Sequence, residues 1–133
     1  MPGLQTGIAA RNDGYQGVQF LTRNLTFSAD NAVARTIGRI PAGSIILRPL
    51  SGVMVQTITN AGTNNRIDIG TTADDDLYGT DLATGTAGFV PLDENVGGRV
   101  SVDTTITATL DLTGTAATTG DLDVVIAFIP PNN

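Results

Sequence analysis

Between Thr105 and Thr113 the chain alternates without a slip. Ile106, Ala108, Leu110 and Leu112 fall on one face, and Thr105, Thr107, Thr109 and Asp111 on the other. A period of two places every second side chain on the same side of an extended chain, so such a segment buries one face and wets the other. Leu122 to Ile129 repeats the pattern with Leu122, Val124, Ile126 and Phe128, and ends at Pro130-Pro131, which cannot continue a hydrogen-bonded ladder. Thr and the β-branched residues dominate, while the usual exposed-helix formers are nearly missing, with a single Glu (Glu94) and no Lys. Gly and Asn/Asp clusters recur at intervals of about eight to twelve residues, the punctuation of a sandwich or barrel.

The same reading divides the whole chain. Residues 1–17 are Gly-rich without a sustained period and are expected to form an N-terminal arm, with Leu4 and Ile8 as anchors; residues 18–133 form the β domain. Val18 to Phe27 reads as a strand whose parity slips between Phe20 and Leu25, which suggests a bulge near Thr22-Arg23. Ser28 to Asn31 is a turn, and Val33 to Ile40 alternates again, with Val33 and Ile37 on one face beside Arg35 and Arg39. After the break at Pro41-Ala-Gly43, Ser44 to Leu50 is an apolar run ended by Pro49.

Gly52 to Thr59 sets Val53 and Val55 against Met54 and Ile58. Across the turn-rich 60–65 segment, Arg66 to Gly70 forms its expected hairpin partner. Thr71 to Gly88 reads as a long loop, Phe89 to Leu92 as a short strand, and Asp93 to Gly98 as a turn from which Val100 and Val102 begin a new strand. Gly114 to Gly120 connects the two clearest strands. The sum is an all-β, jelly-roll-like β-sandwich of about eight to nine strands.

The residue types that are missing narrow the chemistry. There is no His, no Cys and no Trp, and all seven basic residues are Arg. The commonest general base near neutral pH, thiol nucleophiles, Schiff-base lysines and the usual zinc ligands are therefore excluded. Carboxylates, Tyr15 and Tyr78 are what remains, so binding and assembly are expected rather than catalysis, with no cofactor. A carboxylate hydrolase would have one Glu to work with and no Trp as a sugar platform. The net charge of −6, with the Arg scattered at 11, 23, 35, 39, 48, 66 and 99, argues against nucleic acid. No segment approaches the ~18 consecutive apolar residues of a membrane span, and the first residues offer no basic region followed by an apolar run, so no secretory leader is expected.

Asp74-Asp75-Asp76, with Asp68 and Asp81 nearby, is the one place where hard oxygen ligands gather. The spacing is not that of an EF-hand, and neighbouring side chains on an extended chain point to opposite sides. A solvated loop is expected, and no metal site is assigned. Asn24-Leu-Thr26 is read as ordinary strand sequence, and Gly38, Gly43, Gly52 and Gly70 as turn and bulge positions that match no phosphate-binding fingerprint.

The order of several short motifs carries a resemblance. Ile40-Pro-Ala-Gly-Ser-Ile-Ile-Leu47 is followed by Val53-Met-Val55, then Asn64-Asn-Arg-Ile-Asp-Ile-Gly70, Ala73-Asp-Asp-Asp-Leu-Tyr78 and a closing Val124-Val-Ile-Ala-Phe128. Over roughly residues 36–129 this order resembles small virion proteins of tailed bacteriophages. The resemblance implies a capsid decoration (cement) protein on the virion exterior. Its partners would be the major capsid protein lattice and further copies of itself, as a dimer or trimer. It transfers no functional residue. The alternative reading is a tail or head-fibre host-recognition module binding surface carbohydrate; only six aromatic residues, several at strand-core positions, argue against it.

Overall fold

The alternating segments pair into two stacked antiparallel sheets. The computed structural model describes residues 17–59, 64–94, 99–113 and 119–131. Residues 1–16 of the expected 1–17 arm lie outside the described residues, as does the side chain of Ile58. Nine strands are present among the described residues: β1 (Gln19–Thr26), β2 (Ala34–Ile40), β3 (Ile45–Ile46), β4 (Gly52–Thr59), β5 (Asn64–Thr71), β6 (Gly79–Ala83), β7 (Gly88–Pro91), β8 (Thr104–Thr113) and β9 (Thr119–Ile129).

One sheet runs β1-β9-β4-β7, with β3 also on β9; the other runs β2-β8-β5-β6. The pairings β1 with β9, β2 with β8, β4 with β7 and β5 with β6 are those of one long antiparallel ribbon folded back on itself and wrapped into two layers. This is the jelly-roll connectivity expected from the strand count.

The core is what the period-two pattern demands. Ile106, Ala108 and Leu110 of β8 are fully buried, as are Leu122, Val124 and Ile126 of β9, and they meet Val53, Val55, Ile67 and Ile69 from β4 and β5. Each large apolar side chain removed from water contributes about 1.5–3 kcal/mol before the entropy of ordering is subtracted. Leu112 sits at the margin, packed against this cluster.

Several expectations are corrected. The segments 52–59 and 66–70 are not a hairpin: β4 pairs with β7 and β9, and β5 with β6 and β8 in the opposite sheet. Both strands carry one apolar face, and these faces satisfy each other across the core. The first strand has no bulge, because β1 holds an unbroken register with β9 from Gln19 to Thr26. Its parity slip arises because Phe20 faces outward and Leu25 inward. The irregularity lies in β2, between Thr36 and Gly38. It lets Ile37 and Ile40, three residues apart, both reach the core, while Val33 remains outside the strand and exposed.

The run 44–50 is a two-residue strand followed by a 3-10 turn at Arg48–Leu50. The expected long loop 71–88 contains β6, whose single large apolar residue, Leu82, turns inward while Asp81 adopts φ 53°. Val100 pairs with the 43–44 turn instead of opening β8, and Val102 is exposed.

The edge between β1 and β2 closes through side chains. Leu21 packs on the bare Cα of Gly38, where a Cβ would come within 2.8 Å of its methyl group. Arg23, inward in parity, reaches across to the Thr36 carbonyl oxygen at 2.7 Å. A cation turned inward on an edge strand also discourages pairing with stray strands. At the β1–β2 corner, Asp30 accepts from the Thr26 amide (2.7 Å) and from Arg35 (2.8 Å), which fixes the turn.

Candidate functional site

The acidic turn is built on Gly70. A Cβ at that position would collide with the Asp74 carbonyl oxygen, so only glycine lets the turn fold back this closely. Thr71 donates its amide to the Asp74 carbonyl oxygen at 2.7 Å, Leu77 donates to the same oxygen at 3.4 Å, and Tyr78 donates to Ile69 at 2.8 Å. The chain at Asp74–Asp76 is thus turned rather than extended, and the three carboxylates bring oxygens within 4.8 Å of one another. The expectation that consecutive Asp side chains diverge fails for that reason.

Crowding shows in the protonation equilibria. A hydrogen bond with the Asp74 carboxyl, together with lesser desolvation and repulsion, raises the Asp76 carboxyl above its ordinary 3.8. Asp68 is raised chiefly by burial, against the opposing hydrogen bond from the Asp81 amide (2.7 Å). Asp81 in turn accepts from Arg66 at 2.9 Å. The cluster is therefore wired to itself. The Asp74 carbonyl oxygen is taken by Thr71 and Leu77, and that of Asp76 by the Thr80 hydroxyl (3.2 Å). Neither of these two oxygens is then free to help complete the six to eight that Ca²⁺ takes.

The other residues singled out by sequence have structural places. Tyr78 is buried in the core, and burial raises its hydroxyl pKa. Glu94 is exposed, with its amide on the Tyr78 carbonyl oxygen. Asn24 is a β1 residue whose amide nitrogen lies 3.1 Å from an Asp121 carboxylate oxygen, 3.0 Å from an Asp123 carboxylate oxygen and 3.2 Å from the Leu122 carbonyl oxygen. Tyr15 lies outside the described residues.

The two sheets differ on their solvent sides. On the four-stranded sheet the outward row of β8 is Thr105, Thr107, Thr109 and Asp111, beside Arg66 and Asp68 of β5. On the five-stranded sheet, Phe20 lies beside Ala127, and Met54 stands between Asp123 and Phe89 on neighbouring strands. Phe20 is 56% exposed, Leu50 51%, Met54 46% and Phe89 41%. Sequence reading missed this face. Its signal is present in the parity of Phe20 and Met54, opposite to that of Leu25 and Val53.

The described surface thus offers exposed apolar side chains on the five-stranded sheet and a cluster of carboxylates at the acidic turn. No protein-family model matches the chain, and no curated protein sequence matches it. Its fold is similar to that of a chain in the capsid asymmetric unit of cyanophage Pam1. The likeness has a TM-score of 0.69 and covers 98% of this chain and 100% of the cyanophage one, at 21% sequence identity. At that identity the shared property is the architecture, and it extends over essentially the whole length of both chains.

Proposed function

We propose that the chain is a structural virion protein of a tailed bacteriophage that binds and stabilises the assembled capsid from outside, as a decoration or cement protein. The observation that carries this reading is the full-length likeness to a cyanophage capsid chain. The missing catalytic residue types and the apolar outer face support it, because a protein that reinforces a lattice needs complementary surface and many copies rather than an active site. Self-association into a homo-oligomer belongs to the same reading.

Purified particles provide the test. The copy number of this chain relative to the major capsid subunit is measured by quantitative mass spectrometry, and its density is located by electron microscopy. A fixed ratio to the lattice, with density on the capsid exterior, is the expected result. A few copies at the tail tip or on fibres would replace this function with the host-recognition reading.

A further inference from the structure

The outer face of the five-stranded sheet carries the exposed Phe20 and Phe89 on its two edge strands and Met54 on β4, with acidic residues at one end and an arginine in the turn beyond the other. Asp121 and Asp123 occupy one end of β9, beside Gln56 and Met54 of β4. Among the described residues the ion pairs engage Arg35, Arg39 and Arg66, so neither of these two carboxylates has a cation; their side-chain contact is the neutral Asn24. The opposite corner is Arg48, next to Leu47, whose amide bonds the Ala127 carbonyl oxygen at 2.8 Å. Arg48 donates to the carbonyl oxygens of Leu92 (3.1 Å) and Asp93 (2.8 Å), and no carboxylate among the described residues offsets its charge. From Asp123 to Ala127 is about 13 Å at ~3.3 Å per residue, with the apolar residues between and beside the corners.

We propose that this face is an interface with a second copy of the chain, in which Asp121 and Asp123 of one copy lie against Arg48 of the next and Phe20, Met54 and Phe89 are covered. A surface with an unpaired acidic end, exposed apolar side chains and an unpaired cation at its other end carries the complement of itself. A wholly acidic or wholly basic partner would neutralise one corner and leave the other desolvated without a counter-charge, which costs affinity. A two-fold pair, in which the same patch meets itself, sets unlike corners together. The assignment does not depend on capsid binding, and its test uses no capsid.

Sedimentation velocity and light scattering on the full chain are expected to give a multiple of the 13.7 kDa monomer mass. Phe89→Glu on the exposed edge strand β7 is expected to weaken self-association about tenfold or more. Asp123→Arg is expected to weaken it as well, and Asp123→Arg combined with Arg48→Glu to restore it, with each variant's melting curve confirming a folded protein. Should Arg48→Glu disturb the fold through its lost carbonyl contacts, Phe89→Glu and the loss of Asp123→Arg binding still decide the matter. A chain that stays monomeric at all concentrations, or a folded Phe89→Glu protein that keeps the full oligomeric mass, overturns the proposal.

Discussion

The Ser51 hydroxyl accepts a hydrogen bond from the Ala127 amide at 2.9 Å and donates one to the Leu47 carbonyl oxygen at 2.8 Å. β3 and β4 both pair with β9, but between them the chain leaves the sheet through the 3-10 turn at Arg48–Leu50. The serine side chain fills the resulting gap in the ladder, and Ala127 is fully buried there. Ser51→Ala is expected to leave the Ala127 amide without a partner and to cost about 1–3 kcal/mol. Urea unfolding, with an unchanged slope and a lower midpoint, checks it.

Thr84 presents the reverse case. Its side chain is fully buried and its hydroxyl has no partner among the described residues, although its amide bonds the Asn65 carbonyl oxygen at 2.8 Å. Thr84→Val keeps the shape and removes an unpaired polar atom, so a gain of roughly 1 kcal/mol is expected. Differential scanning calorimetry of the two proteins reads it; a loss of more than that amount would mean the hydroxyl is bonded.

The acidic turn makes stability depend on pH in a defined direction. Asp76 and Asp68 both hold protons more tightly in the folded chain than at the ordinary value of 3.8. Between that value and their raised folded values the native state binds more protons than the unfolded one, so their contribution to stability falls as pH rises and is constant above. Asp76→Asn removes one of these penalties. Its melting temperature is expected to exceed that of the parent at pH 7, with the difference shrinking as the pH falls through the raised folded value and gone below 3.8. An unchanged or lowered melting temperature at neutral pH would contradict this.

The same turn is expected to be indifferent to chelation, because the carbonyl oxygens of Asp74 and Asp76 are already committed to Thr71, Leu77 and Thr80. Melting temperatures with EDTA and with added Ca²⁺ are expected to coincide. A drop on chelation that Ca²⁺ reverses would make Asp74–Asp76 a cation site.

Residues 1–15 are expected to matter for attachment rather than for folding. Burying Leu4, Ile8 and Tyr15 would contribute about 1.5–3 kcal/mol each. Ordering the segment costs about 1–2 kcal/mol per residue in backbone entropy, so those contacts need added backbone pairing with a neighbour. Deleting 1–15 is expected to leave the melting temperature nearly unchanged and to weaken co-sedimentation with bare capsids. A truncated chain that does not fold would make the arm part of the core.

The sequence by itself determined that the chain is all-β and which faces are buried where alternation is strict. Ile106 to Leu110 and Leu122 to Phe128 read directly as core because a period of two leaves one geometric solution. It also determined that catalysis had few residue types available. The tertiary structure alone decided which strands are neighbours, since β4 and β5 present the same local cues whether paired in one sheet or stacked across the core. It alone decided that Phe20, Met54 and Phe89, scattered over seventy positions of chain (20 to 89), share one exposed face. It also turned three consecutive Asp into a cluster, because the close approach that Gly70 allows is a contact between backbones, which no side-chain pattern records.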